Sequence, residues 1–387
     1  MLKAVTMQHR ELKYDKPQYD IANIFRAVAA LSVFVLHGRQ FIPEIADCPF
    51  LYFISSLPAW AGVWIFFFLS GYTIGLGFYQ GRYPISDGNK NLLLHDFIRF
   101  YLGRFLKIAP VYFAYILFFE LFSEQNLFIN NPLLLLRVFT FSFNGNNAPA
   151  GVGHLWYIST AMQLYLIMPF FYFLVRKNKG KKSVTTLLIM ISAMGLLARC
   201  ILQYAKEDWY TRIYTFTPCN LDLIFCGMLA ACLKVTHFAE PSDRRLMRCF
   251  AWVMVVGLLM YNIIIYASDN PTYLTIYRIY LPTVYLLVCT VAVLVLGDLS
   301  YYRLEKSKKF LFQKIIDWFS GITYPFYIVH IVVFIYVERV LNSFDSYKNW
   351  ESAKRVCAFY LVSFMLTIIS ALIFSKITVR GKKKHGI

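Results

Sequence analysis

Charged residues are scarce in this sequence. Asp, Glu, Lys and Arg make up 16% of the 387 residues, whereas 58% of the residues are hydrophobic. A large soluble protein needs more polar side chains to cover its surface, so this composition indicates a polytopic membrane protein instead. The chain also lacks an extended hydrophilic stretch and a visible internal repeat, and we therefore expect no appended soluble catalytic domain.

Acidic residues are the scarcer of the two charged classes. The sequence has 21 Asp and Glu against 39 Lys and Arg, which gives a formal net charge of +18. An excess of this size would suit a nucleic-acid-binding protein, but the basic residues cluster in short loops between apolar runs, as the positive-inside rule describes. We therefore expect anionic lipids and anionic cytosolic ligands as partners, and no nucleic acid.

The eight cysteines form no CxxC pair and no Cys/His spacing typical of a metal site. Most of them lie inside apolar runs, where cysteine behaves as a small hydrophobic residue. The sequence therefore predicts no metal. Cys48 and Cys219 both fall near the predicted outer face, so a disulfide between them is one alternative to two free thiols.

Apolar runs of membrane-spanning length recur along the chain, and we predict an all-α membrane bundle of about ten transmembrane helices. A shorter apolar piece at 132–143, inside the loop 123–153, is too short to span and is predicted to lie in the interface or to re-enter the membrane. The predicted spans cover about 21–41, 58–78, 105–122, 155–174, 185–202, 216–233, 249–266, 273–296, 315–337 and 356–377.

The charges of the loops predict the orientation. The basic segments RKNKGKK, DRRLMR, RLEKSKK and RGKKK follow the fourth, sixth, eighth and tenth spans, so all four fall on one side. Basic loops mark the cytosolic side, so both termini are predicted to be cytosolic. The first residues are polar and basic without an apolar core, which is atypical of a signal peptide. We thus predict a cytosolic N-terminal tail at 1–20, a single membrane domain at 21–379 and a basic cytosolic C-terminal tail at 380–387.

The first predicted span, NIFRAVAALSVFVLHGRQF, carries an arginine near its start, Arg26, and a histidine near its end, His37. They are close to three helical turns apart, so they share nearly the same face at a separation of about 16 Å. An arginine inside a membrane costs about 2.5–3.5 kcal/mol, which is tolerated beside a polar partner, a cavity or the interface. A positive-inside flank and an interfacial histidine are the plainer alternative for this pair.

The third predicted span opens with further cations. Its first residues, RFYLGRFLKIAPVY, place Arg99, Arg104 and Lys107 at the same cytosolic boundary as Arg26. Cations gathered at one mouth would attract a polyphosphate, although each is also typical of an anchor that extends to the interface. Asp222 lies within another apolar run and should therefore face a partner.

Six motifs resemble, in order, those of one family. The Arg–ten residues–His pattern of the first span is followed by GVWIFFFLSGYTI, GRFLKIAPVY, LWYISTAMQLYLIMP, NLDLIFCGMLAA and ITYPFYIVHIVV. Over about 20–335 the chain resembles the acyltransferase 3 family of bacterial multi-pass membrane acyltransferases, in the stand-alone form without an appended extracytoplasmic domain. It departs from the family where members often carry acidic residues or arginine, at Asn23, Trp64, Lys107, Ala161, Met162 and Asn220.

The resemblance implies an O-acyltransferase of the inner (cytoplasmic) membrane of the bacterial cell envelope. Members move an acyl group, usually acetyl, from cytosolic acyl-CoA to a hydroxyl of a lipid-linked or surface carbohydrate. Acetyl-CoA is then the acyl donor, and the partners are the carbohydrate acceptor and membrane lipids. Direct transfer inside the membrane domain is the simpler model for a chain without an appended domain.

The resemblance and the layout of the charges together assign expected roles on the donor side. We expect His37 to be the general base, because an imidazole is suited to proton transfer at neutral pH, and an acyl-histidine intermediate is the open alternative. Arg26 is expected to act both in catalysis and in holding the donor. The other residues expected to contact acyl-CoA are Arg104, Lys107, Ser70 and Tyr112.

On the acceptor side, polar and aromatic residues near the predicted outer face are the candidates. Arg199 and Arg278 are expected to contact an anionic acceptor or else to anchor the outer ends of their helices, and His330 is interpreted as a buried structural histidine. The remaining candidates for acceptor binding are Trp156, Gln163, Tyr165 and His154.

A multi-pass transporter or flippase of a glycan or lipid-linked substrate is the alternative function. A ten-span bundle with charges inside the membrane would suit a transporter as well. Transporters often contain internal repeats, however, and we find none here. Binding of acyl-CoA would distinguish the two functions.

Overall fold

The structure, a computed structural model, describes residues 21–55, 59–86, 90–122, 126–144, 151–238, 245–267, 271–296 and 306–384. Within these ranges the chain is helical and contains no strand, which confirms the predicted all-α class. The predicted N-terminal tail at 1–20 lies outside the described residues. The helices are α1 (Ile21–Arg39), α2 (Pro49–Ser55), α3 (Ala59–Tyr79), α4 (Lys90–Phe122), α5 (Pro132–Phe139), α6 (Trp156–Val175), α7 (Lys181–Tyr204), α8 (Leu221–His237), α9 (Arg245–Ala267), α10 (Pro271–Val295), α11 (Lys306–Asn342), α12 (Asp345–Lys348) and α13 (Ser352–Lys384).

Nine helical segments in the described ranges are long and apolar enough to cross a membrane. They coincide with nine of the predicted spans. The remaining prediction, 249–266, coincides with α9, whose described apolar stretch, Cys249–Leu258, is shorter. The last helix, α13, continues to Lys384 and so includes the beginning of the predicted C-terminal tail.

Contacts at both ends of α1 fix α1 and α11 as parallel neighbours. At the start of α1, Asn23 donates to Asp317 (2.8 Å) and accepts from Ser320 (3.0 Å). At its end, His37 lies 2.7 Å from His330. We call the side on which α1 begins the near face and the side on which it ends the far face.

Helices α3 and α8 approach each other backbone to backbone. A Cβ added at Gly71 of α3 would lie 1.8 Å from the carbonyl oxygen of Ile224, and one added at Gly227 of α8 would lie 2.2 Å from that of Phe68. Small residues permit such contact between membrane helices, so the glycine of the SGY motif has a packing role. On the other side of α3, Gly62 meets the backbone of Ala29 in α1 in the same way.

Helix α4 begins earlier than predicted. It starts at Lys90 rather than near residue 105, so Arg99 and Arg104 lie within the helix and not at its entrance. Its first turns are fixed by Asp96, which accepts hydrogen bonds from the backbone and hydroxyl of Ser86 (2.9 and 2.7 Å). The polar residues of this stretch resembled a loop by hydropathy, whereas its aromatic residues pack inward.

The loop between α4 and α6 folds back into the bundle. The Tyr112 hydroxyl donates to the carbonyl of Val138 (3.3 Å), and Phe113 stacks on Phe139 at a centroid distance of 5.1 Å. Both partners in α4 lie well before the end of that helix, so the structure favours re-entry for this segment over an interfacial position.

Each of the eight cysteines, all of which lie in the described ranges, is a free thiol. Cys48 and Cys219 are therefore not joined, and the disulfide considered from the sequence is not formed.

Candidate active site

Three histidines from three helical segments meet at the far end of α1. His37 ends α1, His154 lies in the 3-10 turn before α6, and His330 lies within α11. The rings of His37 and His330 stack in parallel at 5.0 Å, and the ring of His154 meets that of His330 edge-on at 5.3 Å. We call these three residues the histidine cluster.

Backbone carbonyls determine which nitrogens of the cluster carry protons. His330 Nδ1 lies 2.6 Å from the carbonyl of Tyr327, and since a carbonyl only accepts, Nδ1 donates. In neutral His330, Nε2 is then an acceptor and receives the Nδ1–H of His37. The Nε2 of His37 is therefore left unprotonated, which is the form that a general base requires.

The neutral form of the cluster follows from its surroundings. Charging a ring there would place a positive charge in a wall that has no carboxylate among its described residues. The rings contact each other rather than a common centre, and no group of three potential metal ligands is found in the described part of the chain.

A cavity of about 270 Å³ opens beside the cluster. His37 and His154 line it, together with the far ends of α1, α3 and α6, so the cavity belongs to the far half of the bundle. His37 consequently faces a space inside the protein and not lipid. Aromatic side chains dominate the rest of the wall: Trp60, Trp156, Tyr210, Tyr214 and Tyr327.

Two of these aromatic residues, Tyr210 and Tyr214, come from the segment between the predicted spans 185–202 and 216–233, in which no site residue was predicted. Trp209–Tyr214 forms a single π-helical turn, capped by Asp208, and hydrogen bonds from Thr211 hold the pKa of Asp208 below its usual range. Burial raises the pKa of Tyr210 to about 12, so its phenol keeps its proton. The signal that was available is the aromatic sequence WYTRIY between two spans.

The glycine Gly151 brings the loop before α6 against the wall of the cavity. Its φ is 99°, and a Cβ there would lie 2.2 Å from the ring of Phe119, so only glycine fits. Its carbonyl accepts a hydrogen bond from Tyr115. This contact fixes the backbone just ahead of His154.

On the near side of the bundle, one arginine of α1 and one of α4 lie around the same tyrosine of α6. Arg26 donates to Asn23 at 2.8 Å, and Arg104 donates to the hydroxyl of Tyr83 with its guanidinium carbon 5.1 Å from that ring's centroid. Both guanidinium groups are close enough to Tyr165 for their charges to act on its phenol. The Nε–H of Arg104 is buried and has no partner among the described residues.

A column of hydroxyl groups joins the arginines to the cavity. Ser70 lies beside the phenols of both Tyr157 and Tyr165. Tyr157 in turn packs against Tyr327 at 5.4 Å, and Tyr327 lines the cavity and donates to the carbonyl of His154 at 2.7 Å. The column therefore follows α1 from Arg26 toward the histidine cluster.

Lys107 and Tyr112 differ from the members of this column in exposure and in hydrogen bonding. Lys107 is exposed, so it does not share the environment of Arg104 although the two are three residues apart. Tyr112 is fully buried and holds the re-entrant segment through its bond to Val138.

Trp156 and Gln163 have different surroundings although both belong to α6. Trp156 lines the cavity and packs on Tyr214 at 4.8 Å. Gln163 donates to the carbonyl of Phe141 (2.7 Å) and accepts from Thr217 (2.5 Å), so it ties the re-entrant segment to the start of α8.

Arg199 is buried and belongs to a second polar cluster. It donates to both carboxylate oxygens of Asp222 at 3.2 and 2.7 Å, and this ion pair confirms that Asp222 faces a partner. It also donates to the carbonyls of Cys219 and Ile279 and to the hydroxyl of Thr283. All five of its N–H groups are thus used within the protein.

Arg278 supports the aromatic wall of the cavity from behind. Its guanidinium carbon lies 4.7 Å from the centroid of the Trp209 ring, a cation–π contact. With Arg199 it lines a separate space of about 10 Å³, room for a single water molecule. It therefore does not face the cavity of the histidine cluster.

A comparison with protein families matches nearly the whole chain. The family model Acyl_transf_3, described as an acyltransferase domain, matches residues 19–376. No curated protein matches the chain, and no solved structure matches it. The matched range includes both arginines, the column of hydroxyl groups and the histidine cluster.

Proposed function

The chain belongs to the Acyl_transf_3 family of acyltransferase domains, and on that premise we propose that it is a multi-pass membrane O-acyltransferase. In this proposal the acyl donor is acyl-CoA, most simply acetyl-CoA, and the acceptor is a hydroxyl of a cell-surface or lipid-linked carbohydrate. The near face is cytosolic, as the basic loops predict, and the membrane is the inner membrane of a bacterial cell.

One observation carries the proposal, namely the protonation pattern of the histidine cluster. His37 offers an unprotonated Nε2 at the wall of a cavity, and its other nitrogen is held by His330. A chain of donors that ends in a free imidazole nitrogen prepares one atom to accept a proton. A histidine kept only for packing has no need of that arrangement beside an open space.

In the proposed reaction, His37 Nε2 removes the proton of the acceptor hydroxyl. The hydroxyl oxygen attacks the carbonyl carbon of the thioester, and the C–S bond breaks as the new C–O ester bond forms. The proton then passes from His37 to the thiolate of CoA, so that free CoA leaves as a thiol. The acyl-histidine alternative uses the same nitrogen as nucleophile and remains open.

The donor is proposed to enter from the near face. Arg104, with its unpaired Nε–H, and Arg26 supply charge for the phosphates of CoA. The thin pantetheine arm follows the column of Ser70, Tyr165 and Tyr157, which places the thioester near His37. Lys107 is exposed and adds to the positive field of this face.

The acceptor is proposed to bind in the cavity on the far side. Its aromatic wall, which includes Trp156, suits the apolar C–H faces of a sugar ring, while His154 and His37 supply polar contacts. Arg199 and Gln163 are left out of this site, and Tyr112 is left out of the donor site, because their polar groups are used inside the protein. Arg278 acts only through the segment that carries Tyr210.

The test is a transfer assay with the purified full chain in lipid nanodiscs. Labelled acetyl-CoA is supplied with a glycan extract from the source cells, and ester formation on glycan is measured for the unmodified protein, for His37→Ala and for His95→Ala. His95 is an exposed histidine at the near end of α4 and serves as the matched control.

The proposal predicts labelled glycan with the unmodified protein and with His95→Ala, and at least about 100-fold slower labelling with His37→Ala. Movement of a glycan into vesicles without acetyl-CoA binding would instead support the transporter alternative. Normal ester formation by a correctly folded His37→Ala variant would contradict the assignment of the base.

A further inference from the structure

His154 has a nitrogen that the protein does not use. Its ring is 6% exposed, and its Nε2 lies 2.9 Å from the carbonyl of Ile328, so Nε2 carries the proton and donates. Nδ1 is then an acceptor. This atom is buried and has no hydrogen-bond partner among the described residues.

A buried acceptor without a partner is unusual, because each such group loses its bonds to water on burial. His154 lines the same cavity as His37. The rings of His154 and His37 both contact the ring of His330, at centroid distances of 5.3 and 5.0 Å, so the two residues are close neighbours in the wall of one cavity. Two side chains in the wall of the cavity therefore each carry an unprotonated nitrogen, Nε2 in His37 and Nδ1 in His154.

We propose that Nδ1 of His154 accepts a hydrogen bond from a second hydroxyl of the acceptor, while His37 takes the proton of the hydroxyl that is acylated. This inference rests on the proposed function and narrows its substrate class. The acceptor is a sugar unit with at least two free hydroxyl groups before transfer, and His154 is a residue that determines specificity rather than a second base.

The donor and acceptor inventory of the wall supports this assignment. Nε2 of His37 and Nδ1 of His154 each have a lone pair and no proton, so each can only accept a hydrogen bond. A diol supplies the two O–H donors that these nitrogens need, whereas a simple alcohol supplies one. An alcohol with one hydroxyl would leave Nδ1 of His154 without a partner. Sites that bond a substrate hydroxyl reject analogues that lack it for this reason.

Two substitutions at this position separate the two nitrogens. In His154→Gln the side-chain amide reaches the place of Nε2 and keeps the bond to Ile328, but no acceptor remains at the place of Nδ1. In His154→Asn the amide oxygen replaces Nδ1, and the bond to Ile328 is lost. The pair thus tests the acceptor atom separately from the structural bond.

The experiment uses the transfer assay in nanodiscs. After the ester has been located on the glycan by NMR, the methyl glycoside of that sugar and its monodeoxy analogues are added as competitors of labelled transfer. We expect the removal of one hydroxyl other than the acylated one to weaken inhibition of the unmodified protein about 10-fold to 100-fold. The His154→Gln variant should bind the complete glycoside as weakly as the unmodified protein binds that deoxy analogue. The variant should also bind the complete glycoside and the deoxy analogue equally well.

His154→Asn should regain part of the discrimination, and the KM for acetyl-CoA should be unchanged in both variants. Equal inhibition of the unmodified protein by every deoxy analogue would overturn the inference. It would also be overturned if the His154→Gln variant still discriminated against the same deoxy analogue as strongly as the unmodified protein does. A complete glycoside that fails to compete would also count against it. Absence of any glycan ester from the unmodified protein would remove the proposed function itself, which is a different result.

Discussion

Two buried polar clusters lie in the far half of this bundle, and they differ in what they leave open. Around Arg199 and Asp222, every N–H of the guanidinium group has an acceptor inside the protein. In the histidine cluster, the bonds from His37 to His330 and from His154 to Ile328 leave one nitrogen unprotonated on each outer ring.

Whether a buried polar residue has unused hydrogen-bonding groups distinguishes a structural role from a catalytic role better than its residue type does. The sequence offered Arg199 as a candidate for acceptor binding because it lies near the predicted outer face, and the structure shows that it is buried, which is costly for an arginine. Its complete set of partners explains the cost without a ligand. The histidines are cheaper residues, yet they leave unused bonding capacity beside a cavity of about 270 Å³.

The strongest test of the comparison is removal of the proposed base. His37→Ala should lower kcat for acyl transfer about 10²-fold to 10⁴-fold, the usual contribution of general base catalysis, because no other group on its helix can take the proton. Binding of acetyl-CoA, measured by equilibrium dialysis, should persist. A fall in binding of the same size as the fall in kcat would mean that His37 holds the donor instead.

The matching test of the closed cluster affects stability. Asp222→Ala leaves the buried Arg199 without its counter-charge and should lower the free energy of unfolding by about 3–5 kcal/mol. Thermal unfolding in detergent measures the loss, and KM values of the folded fraction should stay unchanged.

Gly195 gives this second test its control. A Cβ there would lie 2.2 Å from the carboxyl carbon of Asp222. Gly195→Ala should therefore lower the free energy of unfolding more when it is made in the unmodified protein than when it is made in the Asp222→Ala variant. Purely additive losses would show that the carboxylate does not occupy the space beside this glycine.

A smaller effect is expected from His330, which we interpret as a positioning residue. His330→Leu removes the acceptor for His37 Nδ1–H and should lower kcat about 10-fold to 100-fold with little change in the KM for acetyl-CoA. His330→Gln keeps an oxygen near the place of Nε2 and should recover much of the rate. If both variants lose the same activity, His330 acts by packing alone.

The smallest effect concerns the near face. Arg104→Gln should raise the KM for acetyl-CoA about 10-fold, since charge-assisted bonds to phosphate are lost. Lys107→Gln is the matched control, and its exposed side chain should change KM by less than about 2-fold at physiological salt. A larger effect at Lys107 than at Arg104 would place the phosphates outside the column.

The sequence was sufficient for the elements that depend on periodicity and spacing. Hydropathy located the helices, the spacing of Arg26 and His37 put both residues on nearly one face of α1, and the loop charges put Arg26 at the same end as the cations of α4. It could not locate the wall of that cavity, because Trp60 and Tyr210 come from different segments that meet only through packing. It also gave His330 a purely structural reading, since only the geometry shows which nitrogen faces which partner.

The beginning of α4 shows a further limit. Hydropathy averages over a window, so a helix that extends beyond the membrane with polar residues is read as a loop. Arg104 donates a hydrogen bond to Tyr83, a contact that the spacing of residues in the sequence does not predict. The position of a helix can be predicted from local sequence, but the hydrogen-bond partners of its side chains depend on how the whole bundle packs.

The separation of the arginines from the cavity, at opposite ends of α1, has an energetic consequence for the proposed reaction. One acyl group would move from the near side to the far side while one proton moves the other way. Donor and acceptor each keep their charge, so the overall exchange is electroneutral. The membrane potential, worth about 2.3 kcal/mol for each charge carried across 100 mV, would then neither drive nor oppose the equilibrium. The energy of the thioester alone would set its direction.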